Sequence, residues 1–194
     1  MQVLDSLDSA FLYLETQHSP MHIGSVQIYE SRGENFDFER YRDLVRSRLH
    51  ISPVFRRRVV HVPLNLGRPY WVEDPEFDLE YHVRHIALPK PGDWRQLCIQ
   101  VARLHSRPLD LSRPLWEAYV IEGLNNVDFL PARSFAILFK MHHAAVDGAS
   151  AMEAIYSLHD KTRQRSRSGT VPAEPPHANP GPLELFGRAY LNRL

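Results

Sequence analysis

The chain has 194 residues, 43% of them hydrophobic, which suits a globular protein with one well-cored domain. Lys plus Arg and Asp plus Glu both number 23, so the formal net charge is zero and nothing calls for a nucleic acid partner. One cysteine excludes an internal disulfide and a cysteine zinc site, and the absence of a long apolar run or a basic-then-apolar leader leads us to expect a cytoplasmic protein.

In chain order, residues 6–15 read as a short helix capped by Asp5 or Ser6, with Leu7, Phe11 and Leu14 as its apolar side. Residues 21–29 alternate as a strand does, which makes His22 a structural residue. Residues 31–34 form a turn, and Phe38, Tyr41, Leu44, Val45 and Leu49 then follow helical spacing behind an Asp37 cap. The run Arg56-Arg57-Arg58 reads as a solvated strand face in preference to a phosphate contact. Residues 59–62 and 70–72 are expected to pair as a hairpin across a loop punctuated by proline and glycine. Leu79, Tyr81 and Val83 alternate with Glu80, His82 and Arg84, which predicts a strand with one wet face. His61, His82 and His85 show no metal-ligand spacing, and no metal site is expected.

Asp93 and Gln96 have the spacing of a capping box, and Trp94, Leu97, Val101 and Leu104 form the stripe of a helix that ends at His105. Cys98 lies in this helix and reads as a small core residue. Pro114-Leu115-Trp116 leads into a strand over residues 116–121, with Trp116 expected in the core. The apolar residues 135–139 predict a buried strand, and residues 149–159 predict a helix.

Between that strand and that helix lies His142-His143-Ala144-Ala145-Val146-Asp147-Gly148. Alternation along a strand keeps adjacent side chains from sharing a face, which argues against a metal site and for one working histidine beside a structural one. A neutral imidazole can take a proton from a hydroxyl near neutral pH. Asp147 can orient the turn or cap the helix, and Gly148 lends the turn backbone freedom. Residues 161–182 are basic and polar, then proline-rich, and read as a linker or mobile loop. Leu183, Phe186, Tyr190, Leu191 and Leu194 return to helical spacing, with an apolar face that no following chain buries. That helix reads as a lead-in to a second domain, a docking helix for a partner, or a membrane-surface helix using Arg188 and Arg193. No GxSxG elbow or P-loop occurs.

The HHAAVDG stretch resembles the HHxxxDG signature of coenzyme A-dependent acyltransferases, the superfamily of chloramphenicol acetyltransferase and of condensation domains. Residues 4–15, then Pro20-Met21-His22-Ile23-Gly24, and Ser112-Arg113-Pro114-Leu115-Trp116-Glu117 resemble the bacterial wax ester synthase/diacylglycerol acyltransferases. The resemblance runs from about Leu4 to about Asp160 and implies an α+β fold. It implies a mixed β-sheet with packed helices, the N-terminal domain of a chloramphenicol-acetyltransferase-like fold over residues 1–160. It implies transfer of a fatty acyl group from acyl-coenzyme A, a substrate and not a bound cofactor, to a long-chain alcohol or diacylglycerol. His143 would be the general base, Asp147 a structural partner, His142 and Gly148 parts of the motif, and Pro114, Leu115 and Trp116 its support. Glu15 is a lesser candidate, and the coenzyme A-binding residues are unassigned. The family is about twice as long, so a C-terminal half or second chain is expected as partner, together with a membrane or lipid-inclusion surface. A condensation-type domain and a non-catalytic half-domain that binds a partner are the alternatives.

Overall fold

The computed structural model describes residues 1–31, 36–146, 148–159 and 180–191. Strand β7, Ser134–His142, is buried along its whole length, as its sequence SFAILFKMH requires of a strand covered on both faces. It pairs antiparallel with β2, His22–Glu30, on one side and with β6, Trp116–Glu122, on the other. Strand β5, Val83–Ala87, lies parallel to β6, which completes a mixed four-stranded sheet of order β2-β7-β6-β5. A parallel neighbour needs a crossover, and helix α4, Trp94–His105, supplies it.

The two faces of β7 bury different helices. Phe135, Ile137, Phe139 and Met141 pack with Tyr41 and Val45 of α2, Phe38–Arg48, and with Ala151, Ala154 and Ile155 of α5, Gly148–Ser157. Ala136 and Leu138 pack with Leu97 and Leu104 of α4. A second sheet, of order β1-β4-β3, joins Gln2–Val3, Tyr70–Glu73 and Arg57–Val60, all antiparallel. Helix α1, Ser6–Leu14, bridges the sheets: its Leu12, with Leu4 just before the helix, meets Val59, Leu115 and Ala144.

The α+β reading and its mixed sheet hold. Asp5, Asp37 and Asp93 cap their helices through the N–H three residues on, and Asp93 with Gln96 forms the full capping box. The hairpin of β3 and β4 forms, and its arginines are tied to the surface: Arg56 to Glu73, Arg57 to Gln2 and Arg58 to Asp74.

Four expectations need correction. Residues 79–82 form one helical turn, α3, Leu79–His82, because Asp78 accepts the Glu80 N–H at 2.9 Å and caps it. His82, expected near a wet face, is fully buried between Phe77 and Trp116, and its Nδ1–H donates to the Trp116 carbonyl at 2.7 Å. In α1, Leu7 and Leu14 are exposed; the helix turns Ser9 and Leu12 inward, and the Ser9 hydroxyl is satisfied by the Asp5 carbonyl at 2.6 Å. Cys98 is exposed, since it lies a third of a turn from the buried Leu97. The last helix, α6, Pro182–Leu191, is not left without a surface. It lays Leu185 and Ala189 on Val62, Tyr70 and Val72, while Leu183, Tyr190 and Leu191 are exposed.

The turn expected at 31–34, beyond Ser31, and most of the expected linker lie outside the described residues, as do Asp147, Arg193 and Leu194. Among the described residues no helix is long and apolar enough to cross a membrane.

Candidate active site

His142 is the last residue of β7 and is fully buried. Its backbone N–H donates to the Leu115 carbonyl at 3.0 Å, and its carbonyl accepts the Ala145 N–H at 2.9 Å, which closes the turn. Both ring nitrogens are engaged. Nδ1 accepts the Ala144 N–H at 3.0 Å, so it carries a lone pair and the proton sits on Nε2. That Nε2–H donates to the Glu15 carboxylate, whose side chain is itself buried just past the end of α1. Burial pulls the His142 pKa below the ordinary histidine value, and the hydrogen bond and charge of Glu15 oppose that pull. A neutral Nε2–H imidazole satisfies every contact.

His143 stands outside the strand, first in the turn. Its backbone N–H donates to the Met21 carbonyl at 2.9 Å, which anchors it to the chain entering β2. Its half-buried ring stacks on Phe11 with centroids 5.0 Å apart and planes 22° from parallel. The Met21 N–H in turn donates to Glu15 at 3.3 Å. Phe11 lies in α1 and Glu15 caps its C-terminal end four residues on, so the end of this helix meets both histidines.

The Pro114-Leu115-Trp116 stretch lies directly beside this turn. Leu115 is fully buried and offers its carbonyl to His142. Trp116 is core, as expected; its Nε1–H donates to the Phe55 carbonyl at 3.0 Å and its ring meets Phe55 edge-on. Pro114 is also buried. The structure thus brings His142, His143, Glu15 and Leu115 together. Gly148 opens α5, and Asp147 is outside the described residues.

A buried polar row continues along the same face of β7. His22 faces His142 across the strands, and its Nε2–H donates to the His105 carbonyl at 2.6 Å. Burial drives the His22 pKa down to about 4. Gly24 leaves room for this arrangement, since a Cβ there would lie 2.9 Å from the His105 ring. Lys140, fully buried, donates to the Leu104 and Arg107 carbonyls and lies 3.7 Å from Glu117. Burial lowers its pKa and Glu117 opposes the shift. These contacts fasten the end of α4 to β7. Among the described residues, no three His, Cys, Asp or Glu side chains gather as metal ligands would.

Ala145 brings the turn to a cleft of about 220 Å³, shared with Gln2, Ser52, Pro53, Val54, Arg57 and Trp71. A larger cleft of about 500 Å³ lies between Tyr13, Arg68, Tyr70 and Ala189. Residue-by-residue reading missed the carbonyls of Met21 and Leu115, which carry no side-chain signal. The Phe11/Glu15 spacing was the available clue to the role of α1.

The family described as the wax ester synthase/diacylglycerol acyltransferase catalytic domain matches residues 4–192. A probable diacylglycerol O-acyltransferase of Mycobacterium tuberculosis is 37% identical over 96% of this chain and 66% of its own length. A putative one from the same organism is 41% identical over 77% of this chain and 32% of its own length. Among solved structures, the wax ester synthase/diacylglycerol acyltransferase of Marinobacter aquaeolei VT8 is 39% identical with a TM-score of 0.66, covering 79% of this chain and 36% of that one. The starter condensation domain of rhizomide synthetase, 12% identical with a TM-score of 0.62 over 81% of this chain and 36% of that one, shares the fold. The chain therefore spans just under two thirds of one relative and about a third of the others.

Proposed function

The chain belongs to the wax ester synthase/diacylglycerol acyltransferase family, and we propose that it moves a fatty acyl group from acyl-coenzyme A to a hydroxyl, with His143 as general base. The single observation that carries the residue assignment is the contrast between the two imidazoles. His142 has both nitrogens engaged and is sealed from solvent, whereas His143 is half-buried and held through its backbone and one ring face. A base must reach the proton it removes, and this favours His143 over His142.

His143 takes the hydroxyl proton of a long-chain alcohol or diacylglycerol as the oxygen attacks the thioester carbonyl. The tetrahedral adduct then collapses, the carbon–sulfur bond breaks, and the proton passes to the departing coenzyme A sulfur. Base catalysis of this kind contributes about 10²–10⁴-fold. No acyl-enzyme is needed. Acyl-coenzyme A as donor is supported by a condensation domain of the same fold solved in complex with C8-coenzyme A. For Asp147 the motif implies a structural role. Pro114, Leu115 and Trp116 support the site from below, Leu115 by its carbonyl on the His142 N–H.

Since the chain covers about a third of several relatives, the remaining wall of the substrate channel comes from a C-terminal half or a second chain. The acceptors partition into lipid, so the protein works from the cytoplasm at the surface of a membrane or lipid inclusion. The test is product analysis. Labelled palmitoyl-coenzyme A incubated with hexadecanol or diolein, with a C-terminal half supplied, is expected to yield wax ester or triacylglycerol. Free fatty acid as the sole labelled product, with or without acceptor, would refute the transfer reading.

A further inference from the structure

We propose that Glu15 is the positioning residue of this site: its carboxylate holds His142 in the Nε2–H form, and His142 in that form shapes the turn that presents His143. The chain of contacts is continuous. The Ala144 N–H donates into the Nδ1 lone pair of His142, which is only available while the ring proton is on Nε2. That proton is buried, and the acceptor it meets is the Glu15 carboxylate. An unpaired buried N–H is costly, so without Glu15 the Nε2–H form loses its acceptor and with it that share of its preference over the Nδ1–H form. In the latter form Nδ1–H and the Ala144 N–H would be two donors facing each other, and the turn would have to open.

Glu15 also grips the other side of the same turn. Its carboxylate accepts the Met21 N–H at 3.3 Å, and the Met21 carbonyl accepts the His143 N–H at 2.9 Å. One turn earlier in α1, Phe11 stacks on the His143 ring. The helix thus acts on His142 through a carboxylate, and on His143 through Met21 and an aromatic face. Charged groups acting on His142 are Glu15 and, more weakly, His143. The consequence for catalysis rests on the proposed role of His143; the tautomer does not.

The test reads the ring directly. In nitrogen-15-labelled protein, long-range proton–nitrogen correlation spectra are expected to show His142 as a single Nε2–H tautomer, its ring proton moved downfield by the carboxylate. Glu15→Leu should move the ring to the Nδ1–H form or a mixture, and strip the Ala144 amide of protection against exchange. Glu15→Gln keeps an oxygen acceptor of the same shape, so the tautomer should persist while the Nε2 proton moves upfield. This second variant decides the matter if Glu15→Leu does not fold. An unchanged tautomer in the leucine variant, or an unmoved ring proton in the glutamine variant, overturns the proposal whatever the activity. In acyl transfer, Glu15→Leu should lower kcat about 10–100-fold with little change in KM, as expected for a group that orients a functional side chain through another, and Glu15→Gln should recover most of it. Ring signals that change as expected while no assembly transfers an acyl group would support Glu15 and count against His143 as the base.

Discussion

Two imidazoles one residue apart meet different surroundings because β7 ends between them. His142 keeps the strand's burial and has both nitrogens satisfied, while His143 enters the turn and rests against Phe11. Alternation in the sequence predicted the separation. It did not reveal which group held each ring, because Glu15 and Phe11 are over a hundred residues away along the chain. A third histidine, His82, shows burial without that compensation. Its Nε2 has no partner, and burial drives its pKa from 6.5 to about 4, against the Trp116 carbonyl hydrogen bond. The unfolded state therefore binds the proton first. Stability from a neutral His82 is complete above pH ~6.5 and is lost as pH falls toward ~4, by at most about 3 kcal/mol. His82→Phe should flatten the pH dependence of urea-unfolding free energy across that window, leaving the shares contributed by His22, His105 and His142. An unchanged slope would contradict this account of His82.

Helices and strands were legible where local patterning and tertiary packing agree. The capping box of α4 and the buried run of β7 are such cases. The alternation at residues 79–84 predicted a strand, and the Asp78 cap with the inward His82 made a helical turn of residues 79–82 instead. Helix α1 was placed correctly but its buried face was not. The apolar Leu7 and Leu14 face out, because contacts with Val59, Leu115 and Ala144 select Leu12. Amphipathic period alone cannot name which neighbour a helix meets. The loop before α4 offers a test at this scale. Gly92 has φ +75°, and a Cβ there would lie 1.8 Å from the Gly123 carbonyl oxygen. Gly92→Ala must therefore move backbone and strain its own conformation, and should cost at least about 1–3 kcal/mol in urea denaturation. A loss within error of zero would mean that the α4 entry is not rigidly set.

Across the whole molecule, the four-stranded sheet builds the turn, α1 braces it, and the small sheet carries α6. A ten-residue helix is shorter than isolated helices that persist in water, so α6 depends on its docking. Leu185 is 4% exposed, and Leu185→Ala should remove about 2–5 kcal/mol from that docking. Hydrogen exchange should then quicken across α6 while β7 keeps its protection; equal loss in both would show one cooperative unit. The motifs spoke for the family from sequence alone, and the match over residues 4–192 bears that out. The coenzyme A-binding residues were not legible, since the chain spans only about a third of several relatives and no motif in it names them. The most direct measurement of the central claim is alcohol-dependent coenzyme A release from palmitoyl-coenzyme A. It is made on this chain with a C-terminal half supplied, for the wild-type protein and for His143→Ala. The account predicts release that requires the alcohol and falls about 10²–10⁴-fold in the variant, with fold and acyl-coenzyme A binding retained. Equal release from a folded His143→Ala would contradict it.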